Sequence, residues 1–389
     1  MSLMRISNNV YSVGAMAPLV RKEELIKACP YGTSYNSYFI DDRKTAVIDM
    51  VYGEYFDDFL YNLGLVADIG AVDYLILNRI RPQHSESLKR FLEVSPKTVI
   101  VCSASAKDLF DNIINKPYNC VVVNNGDKLK LGVSVLEFVV QEGIAPDAMC
   151  TYFENDCVLF SGNIFSADFC EPKVTDQELI FEKEFMTELS NYYSCYFSHC
   201  RGAVDRLLES LAQKQIYYIA PAKGVVVADR VDAVVKKYKS LGKAEKGAAA
   251  VVLYASASGC TEALAKAAAE AFAEKNIKTL LLDMSVSNAA ECKRAVDTAD
   301  YIAAGSCTVH SNLPACVWNV LSEINGMHSG KRFFAFGSYG WSGEGADLLN
   351  DRFARLGMTS VCNPVKCCMV PTQTELNSVK QAVDELLNL

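Results

Sequence analysis

The chain has 389 residues, half of them hydrophobic, with a formal net charge of −8 and a pI near 5.2. This length allows two domains with separate cores, and the acidic balance argues against nucleic acid or an anionic membrane surface as a partner. Fifteen cysteines occur mostly singly, without a CxxC pair or a membrane-length apolar run, which predicts a reduced, cytoplasmic protein without a disulfide framework.

The first part of the chain alternates unevenly between short strands and helices. The residue pattern predicts strands at 10–13, 38–40, 45–48, 74–77, 98–102, 120–123, 134–140, 150–153, 157–161 and 217–220, and helices at 54–63, 176–189, 203–212 and 229–238. Such a strand-rich pattern is typical of layered α/β domains. Residues 239–247 then lack periodicity and predict a boundary, with one domain at 1–245 and another at 248–389.

The second part has a regular rhythm. Strands are predicted at 249–255, 279–282, 301–305 and 332–337, and helices at 261–274, 288–296, 314–324, 344–356 and 373–387. This alternation predicts a doubly wound parallel sheet, which binds ligands at the carboxyl ends of its strands.

The first loop of this sheet has the composition of an anion site. It joins a strand end to a helix start, and it contains Ser256, Ala257, Ser258, Gly259, Cys260 and Thr261. Helix N-termini attract anions through unpaired N–H groups. Because the loop has no lysine or arginine, it differs from the GxxxxGK[ST] nucleotide loop, and it fits a monophosphate better. The alternative is an ordinary serine-rich connection.

Two further strand ends carry polar and aromatic residues. Ser306 and Thr308 follow the third predicted strand, while Ser338, Tyr339, Gly340 and Trp341 follow the fourth. In a doubly wound sheet these loops share one edge with the first loop. The combination predicts a planar aromatic ligand with one phosphate, and flavin mononucleotide (FMN) is such a ligand.

These loops resemble those of flavodoxins, and SYGWSG at 338–343 resembles more specifically the flavodoxin half of the flavodiiron proteins. GTSYNSYFI at 32–40, APDAM at 145–149 and LFSGN at 159–163 agree with that family in order and spacing, so the resemblance covers nearly the whole chain. It implies a metallo-β-lactamase-like αββα first domain, a flavodoxin-like second domain with a doubly wound five-stranded parallel sheet and FMN, and a head-to-tail homodimer. It also implies an external redox partner such as a rubredoxin or a flavin reductase.

The same family holds two irons in its first domain, and most of the corresponding positions differ here. The resemblance assigns these positions to Arg79, Arg81, Gln83, His84, Ile144, Asn163 and Lys223. Of these positions, only His84 has the same residue as the family's iron ligand. Guanidinium and ammonium groups have no lone pair for iron. With four histidines in the whole chain, the sequence predicts a degenerate metal site without iron and without catalytic residues.

Arg79, Arg81 and Lys223 are expected to keep this pocket cationic without a metal. They either form salt bridges, with Asp49, Glu86 and Asp147 as candidate acids, or provide a new anion site. The favoured function is FMN-dependent electron transfer, as an oxidoreductase or an electron carrier. The alternatives are a non-catalytic regulatory subunit of an intact flavodiiron protein and a genuine oxygen or nitric oxide reductase.

Overall fold

A computed structural model describes residues 3–24, 27–81, 85–242, 249–324 and 331–388. The chain divides into two structural units, unit 1 at residues 1–243 and unit 2 at residues 244–389. Of the predicted boundary segment, residues 243–247 lie outside the described residues.

Two β-sheets form the centre of unit 1. Its strands are β1 (Met4–Arg5), β2 (Val10–Ser12), β3 (Ala15–Ala17), β4 (Lys22–Glu23), β5 (Lys27–Ala28), β6 (Thr33–Tyr35), β7 (Tyr38–Ile40), β8 (Ala46–Ile48), β9 (Tyr74–Ile76), β10 (Val99–Ser103), β11 (Cys120–Val123), β12 (Lys128–Lys130), β13 (Val135–Val140), β14 (Met149–Phe153), β15 (Val158–Gly162) and β16 (Tyr218–Pro221). The first sheet has the order β1-β2-β7-β8-β9-β10-β11, and the second runs from β12 to β16. β3 pairs with β6, and β4 pairs with β5 as a small hairpin.

Helices cover the outer faces of both sheets. Those of unit 1 are α1 (Phe56–Gly64), α2 (Leu88–Val94), α3 (Ala104–Ile114), α4 (Glu182–Tyr196), α5 (Arg201–Leu211) and α6 (Val231–Gly242). α1 to α3 pack on the first sheet and α4 to α6 on the second, while buried side chains such as Tyr38, Phe138 and Phe160 fill the space between the sheets. Central strands are therefore apolar on both faces, and the predicted αββα sandwich is confirmed.

Unit 2 contains one parallel sheet with helices around it. Its strands are β17 (Ala250–Ala255), β18 (Thr279–Asp283), β19 (Tyr301–Cys307), β20 (Arg332–Tyr339), β21 (Thr359–Ser360) and β22 (Val365–Cys368); its helices are α7 (Cys260–Glu274), α8 (Ala289–Thr298), α9 (Ala315–Glu323), α10 (Glu344–Arg355) and α11 (Gln373–Asn388). The strand order is β18-β17-β19-β20, and β21 and β22 both pair with β20. This confirms the flavodoxin-like doubly wound sheet. The fifth position consists of two short strands, whose sequences are too brief for a periodic signal.

One predicted helix is wrong. Residues 176–189 do not form a single helix, because a 3₁₀ turn at Asp176–Glu178 precedes α4, which begins at Glu182. The buried Asp176 carboxylate accepts hydrogen bonds from the backbone N–H groups of Ala228, Asp229 and Arg230, and these bonds hold it beside the segment that leads into α6. Of the helices described, none has the length and apolar character needed to cross a membrane.

Candidate functional site

Three loops of unit 2 begin at one edge of its sheet. β17, β19 and β20 are in register there, with Ala255 opposite Ser306 and Cys307 opposite Ser338. Because the strands are parallel, the residues that follow these pairs leave the sheet on the same side. The structure thus brings together the three loops that the sequence singled out.

The first loop is an open cradle. α7 begins at Cys260 after Gly259, whose φ of 82° is in the left-handed region that favours glycine. A Cβ on Gly259 would meet no heavy atom within 4 Å in the described structure. Ser256 Oγ is buried and, within the described residues, has no hydrogen-bond partner. A buried hydroxyl beside a helix N-terminus suits the phosphate of a ligand.

The exposure of the other residues of this loop differs. Ala257 and Ser258 are exposed, whereas Cys260 is half-buried, and its Sγ lies 3.8 Å from Ser258 Oγ. Thr261 is fully buried, and its hydroxyl lies 2.7 Å from Ser338 Oγ. Unlike the Thr261 hydroxyl, Ser256 Oγ has no partner among the described residues, and the Ser258 hydroxyl has only the weak contact with Cys260 Sγ.

The second loop is tied to the third. Thr308 N–H donates to the Ser338 carbonyl at 3.1 Å, and Thr308 Oγ1 accepts from Gly345 N–H at 3.0 Å in the first turn of α10. Ser306 Oγ donates to the carbonyl of Cys307 at 2.8 Å. These hydroxyls hold the backbone of the rim in place.

The third loop carries the aromatic residues. Tyr339 is half-buried, and Trp341 is 97% exposed. Gly340 lies beside Met369, since a Cβ there would meet Met369 Cε at 3.5 Å. Because the indole of Trp341 is exposed on a loop next to the cradle, it is free to stack on a planar ligand.

In unit 1, Arg79 forms a buried ion pair. Its Nε lies 3.2 Å from Asp147 Oδ2, with both side chains less than a tenth exposed. The same oxygen accepts the Ile80 backbone N–H at 2.8 Å. The prediction of Asp147 as a salt-bridge acid is confirmed. Of the other two candidate acids, Asp49 accepts from Asn78 and also interacts electrostatically with Arg79, whereas Glu86 accepts from Gly53.

Arg81 and Lys223 meet acids that the sequence did not indicate. Arg81 Nη1 lies 2.7 Å from Glu24 Oε1. Lys223 Nζ lies 2.8 Å from Glu23 Oε2 and 3.4 Å from Asp168 Oδ1. Glu23 belongs to the β4–β5 hairpin, and Glu24 follows it directly. Two-residue strands give too weak a pattern to predict this hairpin.

Lys27, from the other strand of that hairpin, extends the pairing. Its Nζ lies 3.2 Å from Asp168 Oδ2 and 2.9 Å from Glu188 Oε2. Burial disfavours the charged lysine, but Asp168 and Glu188 outweigh this and raise its pKa above the ordinary value. We call Glu23, Lys27, Asp168, Glu188 and Lys223 the ion network.

The ion network is fully buried and holds more acids than bases. Each member is at most 5% exposed. Tyr35 OH donates to Glu23 Oε1 at 2.5 Å, and Thr33 Oγ1 donates to Asp168 Oδ1 at 2.9 Å. Two ammonium groups face three carboxylates, so the expectation of a cationic pocket around Lys223 is wrong. The carboxylates that compensate Lys223 come from Glu23 in the hairpin and from Asp168 outside it.

The other positions assigned to the expected metal site are Gln83, His84, Ile144 and Asn163. Gln83 and His84 lie outside the described residues. Ile144 is half-buried and packs on the apolar cluster beneath α4 to α6, and Asn163 is 7% exposed in a turn where its carbonyl accepts from Ser166 N–H. Among the described residues, no group of three or more His, Cys, Asp or Glu side chains could hold a metal ion.

Comparison with known proteins supports this two-part organisation. A family described as "ODP family beta lactamase" matches residues 33–224, and the flavodoxin family matches residues 252–381. Flavo-diiron protein FprA2 of Clostridium acetobutylicum is 29% identical over 391 residues, which cover 97% of this chain and 96% of that protein.

Two further comparisons cover almost the whole chain. Rubredoxin-oxygen oxidoreductase of Megalodesulfovibrio gigas is 26% identical over 388 residues, covering 98% of this chain and 96% of that protein. The solved structure of rubredoxin oxygen:oxidoreductase from Desulfovibrio gigas superposes with a TM-score of 0.73 at 24% identity, covering 99% of this chain and 97% of that one. The latter similarity establishes the fold.

Proposed function

We propose that this chain, a member of the flavodiiron protein family with a β-lactamase-like and a flavodoxin-like domain, is an FMN-binding electron-transfer protein that works without a diiron centre. The contrast between its two sites carries the proposal. The rim of unit 2 keeps a cradle open around Ser256 Oγ, which has no hydrogen-bond partner in the described part of the chain. In unit 1, Arg79, Arg81 and Lys223 form ion pairs at positions where the family resemblance expects iron ligands.

The residues of unit 2 fit FMN. Ser256, Ser258 and the backbone N–H groups at the start of α7 would hold the phosphate, and Thr308 would lie towards the ribityl chain or the ring edge. Tyr339 and Trp341 would line the flavin ring. When bound, FMN supplies one- or two-electron transfer, whose potentials depend on stacking and hydrogen bonds from the protein.

The described residues of unit 1 do not fit a pair of irons. Iron sites in proteins use imidazole, carboxylate or thiolate donors, and a guanidinium or an ammonium group has no lone pair to offer. The carboxylates of Asp147 and Asp168 are already paired with Arg79 and with Lys27 and Lys223. We therefore route no chemical step through a metal in this unit.

An external redox protein is proposed as the partner. One relative bears the name rubredoxin-oxygen oxidoreductase, which supports a rubredoxin as electron donor, and a flavin reductase would serve the same chemistry. A head-to-tail homodimer is the proposed assembly. The filled pocket of unit 1 also favours a second candidate function, a regulatory subunit that pairs with an intact flavodiiron protein.

The test combines metal analysis with flavin reoxidation. The protein is loaded with FMN, its iron content is measured, and the flavin is photoreduced without air before mixing with oxygen. We expect negligible iron, slow reoxidation, and hydrogen peroxide in an amount that matches the flavin. Rapid reoxidation without peroxide, together with bound iron, would identify an oxygen reductase and refute the proposal. Failure to bind FMN would favour the regulatory subunit.

A further inference from the structure

Three tyrosine rings of unit 1 are in contact beside the ion network. Tyr35, at the end of β6, is 3% exposed, whereas Tyr52 and Tyr55, which precede α1, are half-buried. The centroid of the Tyr35 ring lies 5.8 Å from that of Tyr52 and 5.2 Å from that of Tyr55. Aromatic rings whose centroids are about 4.5–7 Å apart are in direct contact. The three rings therefore form an aromatic path from the surface to the buried Tyr35.

Tyr35 ends this path next to a carboxylate. Its hydroxyl donates to Glu23 Oε1 at 2.5 Å, which is short enough for a proton to pass between the two oxygens. Burial, followed by this hydrogen bond, raises the pKa of the Tyr35 phenol well above its usual range. The phenol therefore keeps its proton in the resting protein, and Glu23 is placed to accept that proton if the ring loses an electron.

The ion network has an excess negative charge that one proton would cancel. Its two ammonium groups contact three carboxylates, so one negative charge is left over when all five groups are ionised. A buried charge without a counter-charge is unfavourable. Transfer of the Tyr35 proton to Glu23 would leave the network neutral, so the charge balance favours this direction of transfer.

Lys223 has two opposing effects on Tyr35. Its Nζ lies 5.3 Å from the centroid of the Tyr35 ring, and a positive charge at that place disfavours removal of an electron from the ring. The same ammonium lies 2.8 Å from Glu23 Oε2 and 3.4 Å from Asp168 Oδ1. Because the network as a whole keeps its excess negative charge, its field favours loss of an electron from Tyr35.

We propose that Tyr35 is a redox-active tyrosine, which a strong one-electron oxidant in solution oxidises through Tyr52 or Tyr55. In this step the Tyr35 ring loses one electron to the oxidant, and the hydroxyl proton moves to Glu23 Oε1. The products are a neutral phenoxyl radical, a neutral carboxyl group and the reduced oxidant. An external one-electron donor then restores the phenol as the proton returns from Glu23. Radicals derived from hydrogen peroxide belong to this class of oxidant. The inference concerns unit 1 and does not depend on FMN.

The test is oxidation of the full, FMN-free chain by a photogenerated ruthenium(III) trisbipyridine complex, followed by electron paramagnetic resonance. Ring-deuterated tyrosine identifies a tyrosyl signal by the loss of its proton splitting. We expect a tyrosyl signal that persists after radicals at exposed side chains have decayed, because burial shields Tyr35 from solvent. Tyr35→Phe should lose this signal. The control Tyr61→Phe, at a residue that is 65% exposed, should keep it.

A second variant tests the proton acceptor. Glu23→Gln retains a hydrogen-bond acceptor but removes the base, and it should form the radical about a hundredfold more slowly, since a positioned base contributes at least about this factor. The proposal fails if the unsubstituted chain gives no persistent tyrosyl signal, if Tyr35→Phe keeps the signal, or if Glu23→Gln forms it at the original rate.

Fluorotyrosine at position 35 covers the case in which Tyr35→Phe does not fold. This residue keeps the hydroxyl and the shape of the ring, and its fluorine adds a splitting to a radical at that position. We expect the persistent signal to show the fluorine splitting. A persistent signal without it would assign the radical to another tyrosine and overturn the proposal.

Discussion

The hydroxyls of Thr261 and Ser338 lie 2.7 Å apart, although 77 positions separate these residues in the chain. Thr261 is in the first turn of α7, and Ser338 is close to the carboxyl end of β20. Both residues are buried, at 0% and 7% exposure. Their hydrogen bond joins the loop with the anion cradle to the loop with the aromatic residues, so it sets the spacing between the two halves of the proposed FMN site.

Breaking this bond is expected to weaken FMN binding. Thr261→Val is nearly isosteric and leaves the Ser338 hydroxyl without its partner, which costs about 1–3 kcal/mol. We expect the dissociation constant of FMN to rise about tenfold, measured by quenching of flavin fluorescence, since about 1.4 kcal/mol corresponds to that factor. Thr261→Ser, which keeps the hydroxyl, is the control. Unchanged affinity in Thr261→Val would show that the bond does not set the spacing.

Trp341 is expected to matter for the ligand and little for the fold. Its side chain is 97% exposed, and exposed substitutions usually change the free energy of unfolding by at most about 0.5 kcal/mol. Trp341→Ala should therefore leave the thermal midpoint of the FMN-free protein unchanged and weaken FMN binding severalfold. Trp341→Phe should retain most of the affinity. Equal affinity in all three proteins would place Trp341 outside the flavin site.

Removing one charge from the ion network should strongly lower the free energy of unfolding. Lys27→Met leaves Asp168 and Glu188 without the ammonium that both of them contact, and removal of one partner of a buried ion pair costs about 3–5 kcal/mol. We expect a loss of this size in urea unfolding, with partial recovery in Lys27→Met/Glu188→Gln. The control is Lys266→Met, which breaks an exposed pair with Glu262 and should cost less than about 1 kcal/mol. Similar losses in both single variants would contradict this expectation.

Asp49 is expected to make unit 1 less stable as the pH rises. Burial, opposed by hydrogen bonds from Asn78, raises the pKa of this carboxyl from 3.8 to about 7. The folded state therefore binds the proton more tightly than the unfolded state, and the stabilisation, complete below pH 3.8, is lost as the pH rises through 7.

The matching measurement is urea unfolding between pH 4 and pH 8. Asp49→Asn cannot titrate, so its free energy of unfolding should rise relative to that of the unsubstituted protein as the pH increases. The control is Asp57→Asn, at a side chain that is 86% exposed. Its free energy of unfolding should change with pH in the same way as that of the unsubstituted protein. A parallel curve for Asp49→Asn as well would show that Asp49 does not titrate in this range.

The sequence by itself determined the features that depend on local pattern and residue chemistry. The regular alternation after residue 249 predicted the doubly wound sheet, because strand and helix periodicities are visible within short windows. The small polar residues from Ser256 to Thr261 marked a strand end followed by a helix start. The sequence also excluded Arg79, Arg81 and Lys223 as iron ligands, because charged guanidinium and ammonium groups have no lone pair in any fold.

Tertiary structure alone decided which distant groups meet. The partner of Arg81 and one of the two partners of Lys223 come from a hairpin of two-residue strands, which is too short for a pattern in the sequence. Together with Asp168 and Glu188, this hairpin forms the ion network where a cationic pocket was expected. The helix predicted at 176–189 failed because Asp176 accepts hydrogen bonds from a segment about fifty residues away. The pair Thr261–Ser338 likewise depends on strand order and register, which the complete fold sets and no single segment encodes.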